Sequence, residues 1–461
     1  MRRGDQRVDP HDQRRLELLA KYDAYAPRYT SYPTAQQFTP EVDAKVYADW
    51  LSQIDPAKPI SVYAHIPLCN RLCWYCGCNT RAVNRQTAVT SYVSRLIDEL
   101  VLIEPLMPPK LRVSSIHLGG GTPNMLSMDD LTTLFSALRH VFKVSPAADI
   151  AAELDPSVLT EQWVRAAVFH GLTRASIGVQ DLSPEVQAAI NRPEPFEVVE
   201  NATRWLREAG VLSVNFDLMY GLPHQTEDRL LATLDKALSL RPDRIALFGY
   251  AHVPWAKPHQ KLIDASALPD AEARLQHSEA AALRLEDAGY VRIGMDHFAL
   301  PSDVMAQAAE TGALHRNFQG YTADQASTLV GIGASSISRF PQGYAQNSAN
   351  ELAWRTKIGE GELATARGVF LSAEDRLRAE VIERLMCDLK ADVGAICRAH
   401  HFLDGHLDHA LDALAPMVKD GVVQVDGRTV RITELGQPFI RLAAAVFDVT
   451  AHDLPIYSRA V

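Results

Sequence analysis

The chain has no apolar run approaching the about 18 residues that would cross a bilayer. Its opening stretch, MRRGDQRVDPHDQRRLELLAKYD, is charged and lacks the apolar centre of a secretory signal, so a cytosolic protein without a membrane span is expected. A basic excess is missing too. The formal charge is −10, and no Lys/Arg-rich stretch carries interleaved aromatics, which argues against nucleic acid because that binding needs a surface able to release counterions. Cysteine is scarce, with six in 461 residues, a poor disulfide framework in a reducing compartment. What the chain has in ordinary measure, 47% hydrophobic and 22% charged residues, allows a large core: one big domain with an appendage, or two domains.

From residue 60 onward, short apolar runs alternate with helical patterns. The runs are ISVYAHIP, VSSIHLGGGTP, DIAAELDP, RASIGVQD, SVNFDLMYGLP and RIALFGYAHVP; the helical patterns between and after them cover about 87–104, 128–142, 157–170, 196–210, 226–239 and 270–288. That alternation predicts parallel βαβ units, six of them, and hence an α/β fold with most of a barrel, a partial TIM-like (β/α)6 arrangement. Polar or glycine residues recur at the strand ends: Gly119 to Thr122, Glu153, Gln180 with Asp181, Asp217, and Tyr250 with His252. The C-terminal ends of parallel strands are where a ligand sits, in a barrel or in a flat doubly wound sheet. Near residue 370 the texture becomes helical and charged, and DGVVQVDGRTVRITELG reads as a small hairpin. Three segments are expected: an N-terminal arm, 1–48; a catalytic barrel with its extension, 49–365; and a mainly helical C-terminal domain, 366–461.

Four of the six cysteines fall within ten positions, in HIPLCNRLCWYCGCNT at 65–80. Cys69, Cys73, Cys76 and Cys78 form C-x3-C-x2-C-x-C directly after the first strand. Structural zinc sites favour two C-x2-C pairs, or one with distant histidines; dithiol redox pairs open a helix in a small thioredoxin-like fold; bacterial ferredoxins use C-x2-C-x2-C with a remote fourth cysteine. The x3–x2 spacing fits none of these, and the soft thiolates point to an iron–sulfur cluster. Cys387 and Cys397 stand alone in a helical region and read as small buried hydrophobes. Glycines 119–121 would let backbone approach a polar ligand closely. Glu153 is a carboxylate at a strand end, where it is either a ligand acceptor or a helix-start acid. Asp217 has apolar neighbours on both sides, where a charge is costly unless paired or ligand-bound. Arg192 offers a planar fork to a carboxylate, unless it is simply a solvated loop arginine.

The x3–x2 loop resembles that of the radical S-adenosylmethionine (SAM) superfamily, and the resemblance extends much further. APRYTSYPTA (26–35), HIPLCNRLCWYCGCN, HLGGGTPNML, SIGVQD, DLMYGLPHQT, YAHVPW, GMDHFALP (294–301), LHRNFQGYT (314–322) and GIGASSIS occur in order over nearly the whole chain. Together they are similar to the oxygen-independent coproporphyrinogen III oxidase family, also called coproporphyrinogen dehydrogenases. The resemblance implies a radical SAM barrel holding a 4Fe-4S cluster on Cys69, Cys73 and Cys76, with the fourth iron left to SAM. It implies oxidative decarboxylation of two propionates of coproporphyrinogen III to vinyl groups, giving protoporphyrinogen IX in haem synthesis, through a 5′-deoxyadenosyl radical. It also implies two SAM molecules, the first met by Tyr63, Gly120, Glu153 and Ile337, the second by Tyr75, Gly121, Thr122, Gln180, Arg192, Asp217 and Ala251. Tyr63 and Cys78 are the expected catalytic residues. Cys78 is expected to point away from Cys76 if the loop is extended there, because side chains alternate along an extended chain. One departure from the family pattern is NRPEP, which lacks a glutamine soon after Arg192.

A substrate with four carboxylates needs a local basic cluster in this acidic chain. Arg28, His315, Arg316 and His297 are candidates, His297 being equally readable as a satisfied core histidine. An electron donor and a final acceptor are needed but not identifiable from residues, and a monomer is expected. Competing readings are a haem chaperone, which usually lacks the fourth cysteine and the RYTSYPTA arm, an anaerobic haem-degrading methyltransferase, and a colourless thiol redox or zinc protein.

Overall fold

A computed structural model describes residues 10–22 and 24–450. Six parallel strands form its centre: β1 (Ile60–Ile66), β2 (Arg112–Gly120), β3 (Lys143–Leu154), β4 (Arg174–Gln180), β5 (Ser213–Tyr220) and β6 (Arg244–Gly249). They lie side by side in chain order, each pair parallel, as successive right-handed βαβ units require. Every residue of β1 is buried, which explains why it reads as an apolar run with no polar alternation. The intervening helices include Gln86–Ile103, Met128–Val141, Glu161–Phe169, Phe196–Glu208 and Glu227–Ser239, with Ala271–Asp287 following β6. Their starts are chemically marked. Ser127 and Asp130 form a reciprocal capping box at the second of them, and Thr226 caps the helix after β5.

The sheet is wider than the alternation predicts. Leu329–Ile332 adds a seventh parallel strand beside β1, followed by the antiparallel strands Ile337–Phe340, Gly343–Asn347 and Thr365–Phe370. Beyond β6 lie the antiparallel His297–Ala299 and Val291–Ile293. The result is twelve strands in an open linear order, with the six expected βα units at its centre.

Two cores hold the described residues together. The larger contains β1–β6, their helices, and Val42, Tyr47, Trp50 and Leu51, so the helix Ala44–Ser52, which spans residue 48, packs with the barrel. The smaller unites Leu18, Tyr29 and Tyr32 with Leu377 to Phe447. The N-terminal helix Pro10–Tyr22 is thereby docked on the C-terminal region, where Arg14, Lys21 and Tyr22 all bond to Asp420. That region carries helices such as Ala373–Asp388 and a three-stranded sheet. The expected hairpin is Val423–Asp426 with Thr429–Ile432, and Lys390–Asp392 joins it as an unexpected third strand. Cys387 and Cys397 are buried in helices there.

Candidate radical SAM site at the strand ends

Register builds the site. Tyr63 of β1 lies beside His117 of β2, Glu153 of β3 beside Ser176 of β4, and Gly178 of β4 beside Asp217 of β5. Tyr63 Oη is hydrogen bonded to His65 Nδ1 at 3.0 Å, and its ring packs against His117 at 5.8 Å between centroids. Burial pushes the Tyr63 hydroxyl well above its ordinary pKa, keeping it protonated. His65 Nε2 in turn lies 3.2 Å from the Asn79 carbonyl at the end of the cysteine loop.

Glu153 is the hub. Its Oε1 lies 3.1 Å from His117 Nε2, and its Oε2 accepts from the Gly120 backbone N–H at 2.8 Å. Burial pushes this carboxyl up, but the His117 and Gly120 bonds outweigh it and hold the pKa below the usual value. The glycine triplet is required by its own surroundings. A Cβ on Gly119 would come within 2.7 Å of Glu153 Oε1, one on Gly121 within 2.6 Å of the Ile66 carbonyl, and Gly120 has φ +105°. Gly121 and Thr122 donate backbone N–H groups to the carbonyls of Ile66 and Leu68, tying the end of β2 to the start of the cysteine loop.

The loop thiols face different partners. Cys69, pushed up to about 11 by burial, is hydrogen bonded by the Thr122 side chain. Buried Cys73 has Arg192 Nη1 at 3.5 Å from its sulfur. Cys76 is held below its ordinary value, first by a hydrogen bond from Cys78. That last contact corrects the expectation for Cys78. Beyond a turn closed by the Cys76 N–H on the Cys73 carbonyl at 3.2 Å, the chain bends at Cys78 in place of running on extended, and the two thiols are adjacent. The loop after β6 supports the other side: His259 Nε2 lies 2.7 Å from the Cys76 carbonyl, Gln260 donates to the Tyr75 carbonyl at 3.0 Å and Lys257 to that of Cys78 at 3.1 Å. These three residues carry no motif and were invisible in the sequence; His65, in contrast, stands inside HIPLC.

Among the described residues, no three His, Cys, Asp or Glu side chains are grouped closely enough to hold a single ion. The donor chemistry still fits a cluster. Three soft thiols on one loop, spread over separate partners with Arg192 close to one of them, suit a group that takes one thiolate per iron.

Arg192 is not a solvated loop arginine. It is buried, with Nη2 donating to the Gly178 carbonyl at 2.6 Å and lying 3.4 Å from Asp155, and Nε 3.2 Å from Glu194. Arg71, inside the cysteine loop, shares both acids at 3.8 and 3.5 Å. Gln180, at φ +67°, puts its amide beside Gly178 next to this group. Asp217 accepts from Ser176 Oγ and Asn215 Nδ2, each at 2.8 Å, and burial raises its pKa to about 6. Tyr75 packs near Tyr250. Ala251 follows β6 at one flank of the sheet, whereas Ile337 opens a strand on the opposite flank, beyond β1.

The substrate candidates divide. Arg28 Nη2 donates to the Gly249 carbonyl at 2.8 Å, and Arg316 Nη2 to the Arg28 carbonyl at 3.2 Å, so both stand at the β6 end. His315 instead faces the C-terminal region, its Nδ1 3.3 Å from Glu383 Oε1. His297 is buried, with Nδ1 2.7 Å from Asp296 and its ring edge-on to Phe248 and Tyr321. Among the described residues no helix is long and apolar enough to cross a membrane.

Residues 63–237 match the model of the radical SAM superfamily. The chain is 45% identical to the oxygen-independent coproporphyrinogen III oxidase of Bradyrhizobium diazoefficiens, over 97% of this chain and 100% of that one. It is 37% identical to the enzyme of that name from Escherichia coli, over 94% of each. The solved structure of coproporphyrinogen III oxidase from Escherichia coli, described as a radical SAM enzyme, superposes with a TM-score of 0.89 at 36% identity, over 94% of this chain and 98% of that one.

Proposed function

Since this chain belongs to the oxygen-independent coproporphyrinogen III oxidases of the radical SAM superfamily, we infer that its cysteine loop and strand-end residues carry out the oxidative decarboxylation of coproporphyrinogen III to protoporphyrinogen IX in haem biosynthesis. The observation that supports this most is agreement over the full length with a radical SAM coproporphyrinogen III oxidase. When bound, a 4Fe-4S cluster and SAM supply the one-electron chemistry that takes a hydrogen from the propionate carbon next to the ring, after which loss of carbon dioxide and one electron leaves a vinyl group.

The chain's own residues prepare that chemistry. In our reading Cys69, Cys73 and Cys76 bind the cluster and leave one iron for SAM. Arg192 stands against the Cys73 sulfur at 3.5 Å, where it would help to fix that ligand. Glu153 uses one acceptor site on each oxygen for His117 and Gly120, so each oxygen keeps a lone pair for ribose hydroxyls. With Tyr63, Gly120 and Ile337 it would meet a first SAM. Tyr75, Gly121, Thr122, Gln180, Arg192, Asp217 and Ala251 would meet a second. A sulfonium ligand near Asp217 would offset the burial that raises that carboxyl and so favour its ionised form. Cys78, against Cys76, is free of the cluster and serves turnover. The protein would act as a cytosolic monomer, with a separate electron donor and acceptor.

Anaerobic incubation of the reconstituted protein with SAM, a reductant and coproporphyrinogen III tests this reading. Protoporphyrinogen IX is the expected product. Tight haem binding with no vinyl product would contradict it in favour of a chaperone.

A further inference from the structure

Cys76 is gripped from outside its own loop, through the two peptide planes that flank it. The plane before it holds the Tyr75 carbonyl, which accepts from Gln260 Nε2 at 3.0 Å, and the Cys76 N–H, which is donated to the Cys73 carbonyl at 3.2 Å. The plane after it holds the Cys76 carbonyl, 2.7 Å from His259 Nε2. A carbonyl oxygen only accepts, so that ring nitrogen carries a proton whatever the charge of the imidazole. Because a peptide unit is planar, a hydrogen bond that fixes its carbonyl fixes its N–H as well. Both planes beside this thiol are therefore set by adjacent side chains of one short turn, Pro258–Leu262.

The other two thiols of the x3–x2 spacing are held from elsewhere. The Cys69 carbonyl accepts the Val83 N–H at 2.8 Å. On either side of Cys73, the Leu72 carbonyl accepts from Asn191 Nδ2 at 3.0 Å and the Trp74 N–H is donated to the Ile190 carbonyl at 3.1 Å. The turn that holds Cys76 is itself anchored. Gln260 is 1% exposed, and its Oε1 accepts the Val253 N–H at 2.6 Å, so both ends of its amide are committed. A buried amide in that position has one orientation, because leaving its donor or acceptor unmade is costly. The Val253 carbonyl accepts the N–H groups of Ala256 and Lys257, each at 2.9 Å, and Lys257 donates to the Cys78 carbonyl at 3.1 Å. Ile263, just past the turn, is buried with Ile190 and Tyr250, and Trp74 and Tyr75 pack against that group.

We propose that His259 and Gln260 are positioning residues for the iron ligand Cys76, setting the two peptide planes that aim its thiol at the cluster. Groups that orient a metal ligand from outside the coordination sphere change metal affinity or activity by about 10- to 100-fold when removed, and a cluster's electronic properties respond to the hydrogen bonding around it. Gln260 also joins Val253, two residues beyond Ala251, to the residue before Cys76. One side chain thus links the loop after β6 to the cysteine loop. This assignment rests on the reading of Cys76 as a cluster ligand.

The test compares the full chain, reconstituted anaerobically, with His259→Phe, Gln260→Met and His259→Gln, whose amide can replace the ring donor. Release of iron to bathophenanthroline, the electron paramagnetic resonance spectrum of the dithionite-reduced cluster, melting temperature and turnover are measured on each. His259→Phe and Gln260→Met are each expected to release iron about ten-fold faster than wild type, to alter the spectrum, and to lower kcat with the KM for coproporphyrinogen III unchanged. His259→Gln should recover most of the wild-type behaviour. Unchanged iron release and an unchanged spectrum in both variants would overturn the proposal. So would losses that follow a lowered melting temperature and are not recovered by His259→Gln, since those mark a merely structural role. Faster iron release and an altered spectrum in the variants of a wild type that makes no protoporphyrinogen would support the positioning role and overturn the functional reading. A wild type that takes up no iron would overturn both.

Discussion

Glu153 accepts the backbone N–H of Gly120 at 2.8 Å, so the carboxylate at the end of β3 fixes the glycine turn at the end of β2. One side chain therefore has two duties: to hold the turn and to keep an anionic acceptor in the site. Glu153→Gln retains an acceptor for Gly120 but removes the charge. It should raise the KM for SAM at least ten-fold with a small loss of thermal stability, whereas Glu153→Ala should lose both. Steady-state kinetics and melting curves of the two variants check this, and equal effects in both would contradict it.

The loop thiols should separate by iron content. Cys73→Ser is expected to lose most of its iron if Cys73 is the ligand proposed above, since it is buried and stands beside Arg192. Cys78→Ser should keep near-normal iron and lose product formation. Iron analysis after anaerobic reconstitution, together with product assays, distinguishes them; substantial iron loss in Cys78→Ser would close the site.

Arg192 is bonded into a buried group with Asp155, Glu194 and Arg71. Removing one member of a buried charge group strands the others, at a cost of about 3 kcal/mol or more. Arg192→Met should therefore lower the urea midpoint as well as weaken SAM binding. Arg192→Lys restores the charge without the fork and should recover only part. Weakened SAM binding with an unchanged midpoint would show a residue that serves the ligand alone.

Glu99 supplies a pH dependence far from the chemistry. It is buried, accepts from the Gly333 N–H at 2.7 Å, Asn347 Nδ2 at 2.6 Å and Trp354 Nε1 at 3.1 Å, and burial still raises its pKa to about 7. The folded pKa lies above the unfolded value of about 4.3, so this group's contribution is fully present below about pH 4.3 and is lost as pH rises through 7. Within that window the loss approaches about 1.4 kcal/mol per pH unit. Glu99→Gln should flatten stability between pH 5 and pH 8 relative to wild type. Urea unfolding at both pH values checks it, and parallel slopes would contradict it.

What the sequence could reveal followed from pattern length. The six central strands and their helices were legible because each run is long and its period clear. Leu329–Ile332 and the antiparallel strands at the sheet's two edges were not, being three to six residues each, too short to show a period. Of the site, the three-cysteine spacing and the strand-end residues were readable as motifs. The burial of Arg192 was not, because Asp155 lies 37 positions away from it and nothing local announces the pairing. The direction of Cys78 was misread for a similar reason: the chain bends at Cys78, and its carbonyl there is held by Lys257 from 179 positions away. The pairing of His315 with Glu383 of the C-terminal region, 68 positions away, was equally illegible.

The most direct measurement follows the hydrogen itself. Coproporphyrinogen III deuterated at the propionate carbons next to the ring, turned over anaerobically with SAM, should give protoporphyrinogen IX together with 5′-deoxyadenosine that carries deuterium. Vinyl product formed with unlabelled 5′-deoxyadenosine would contradict radical abstraction from the substrate.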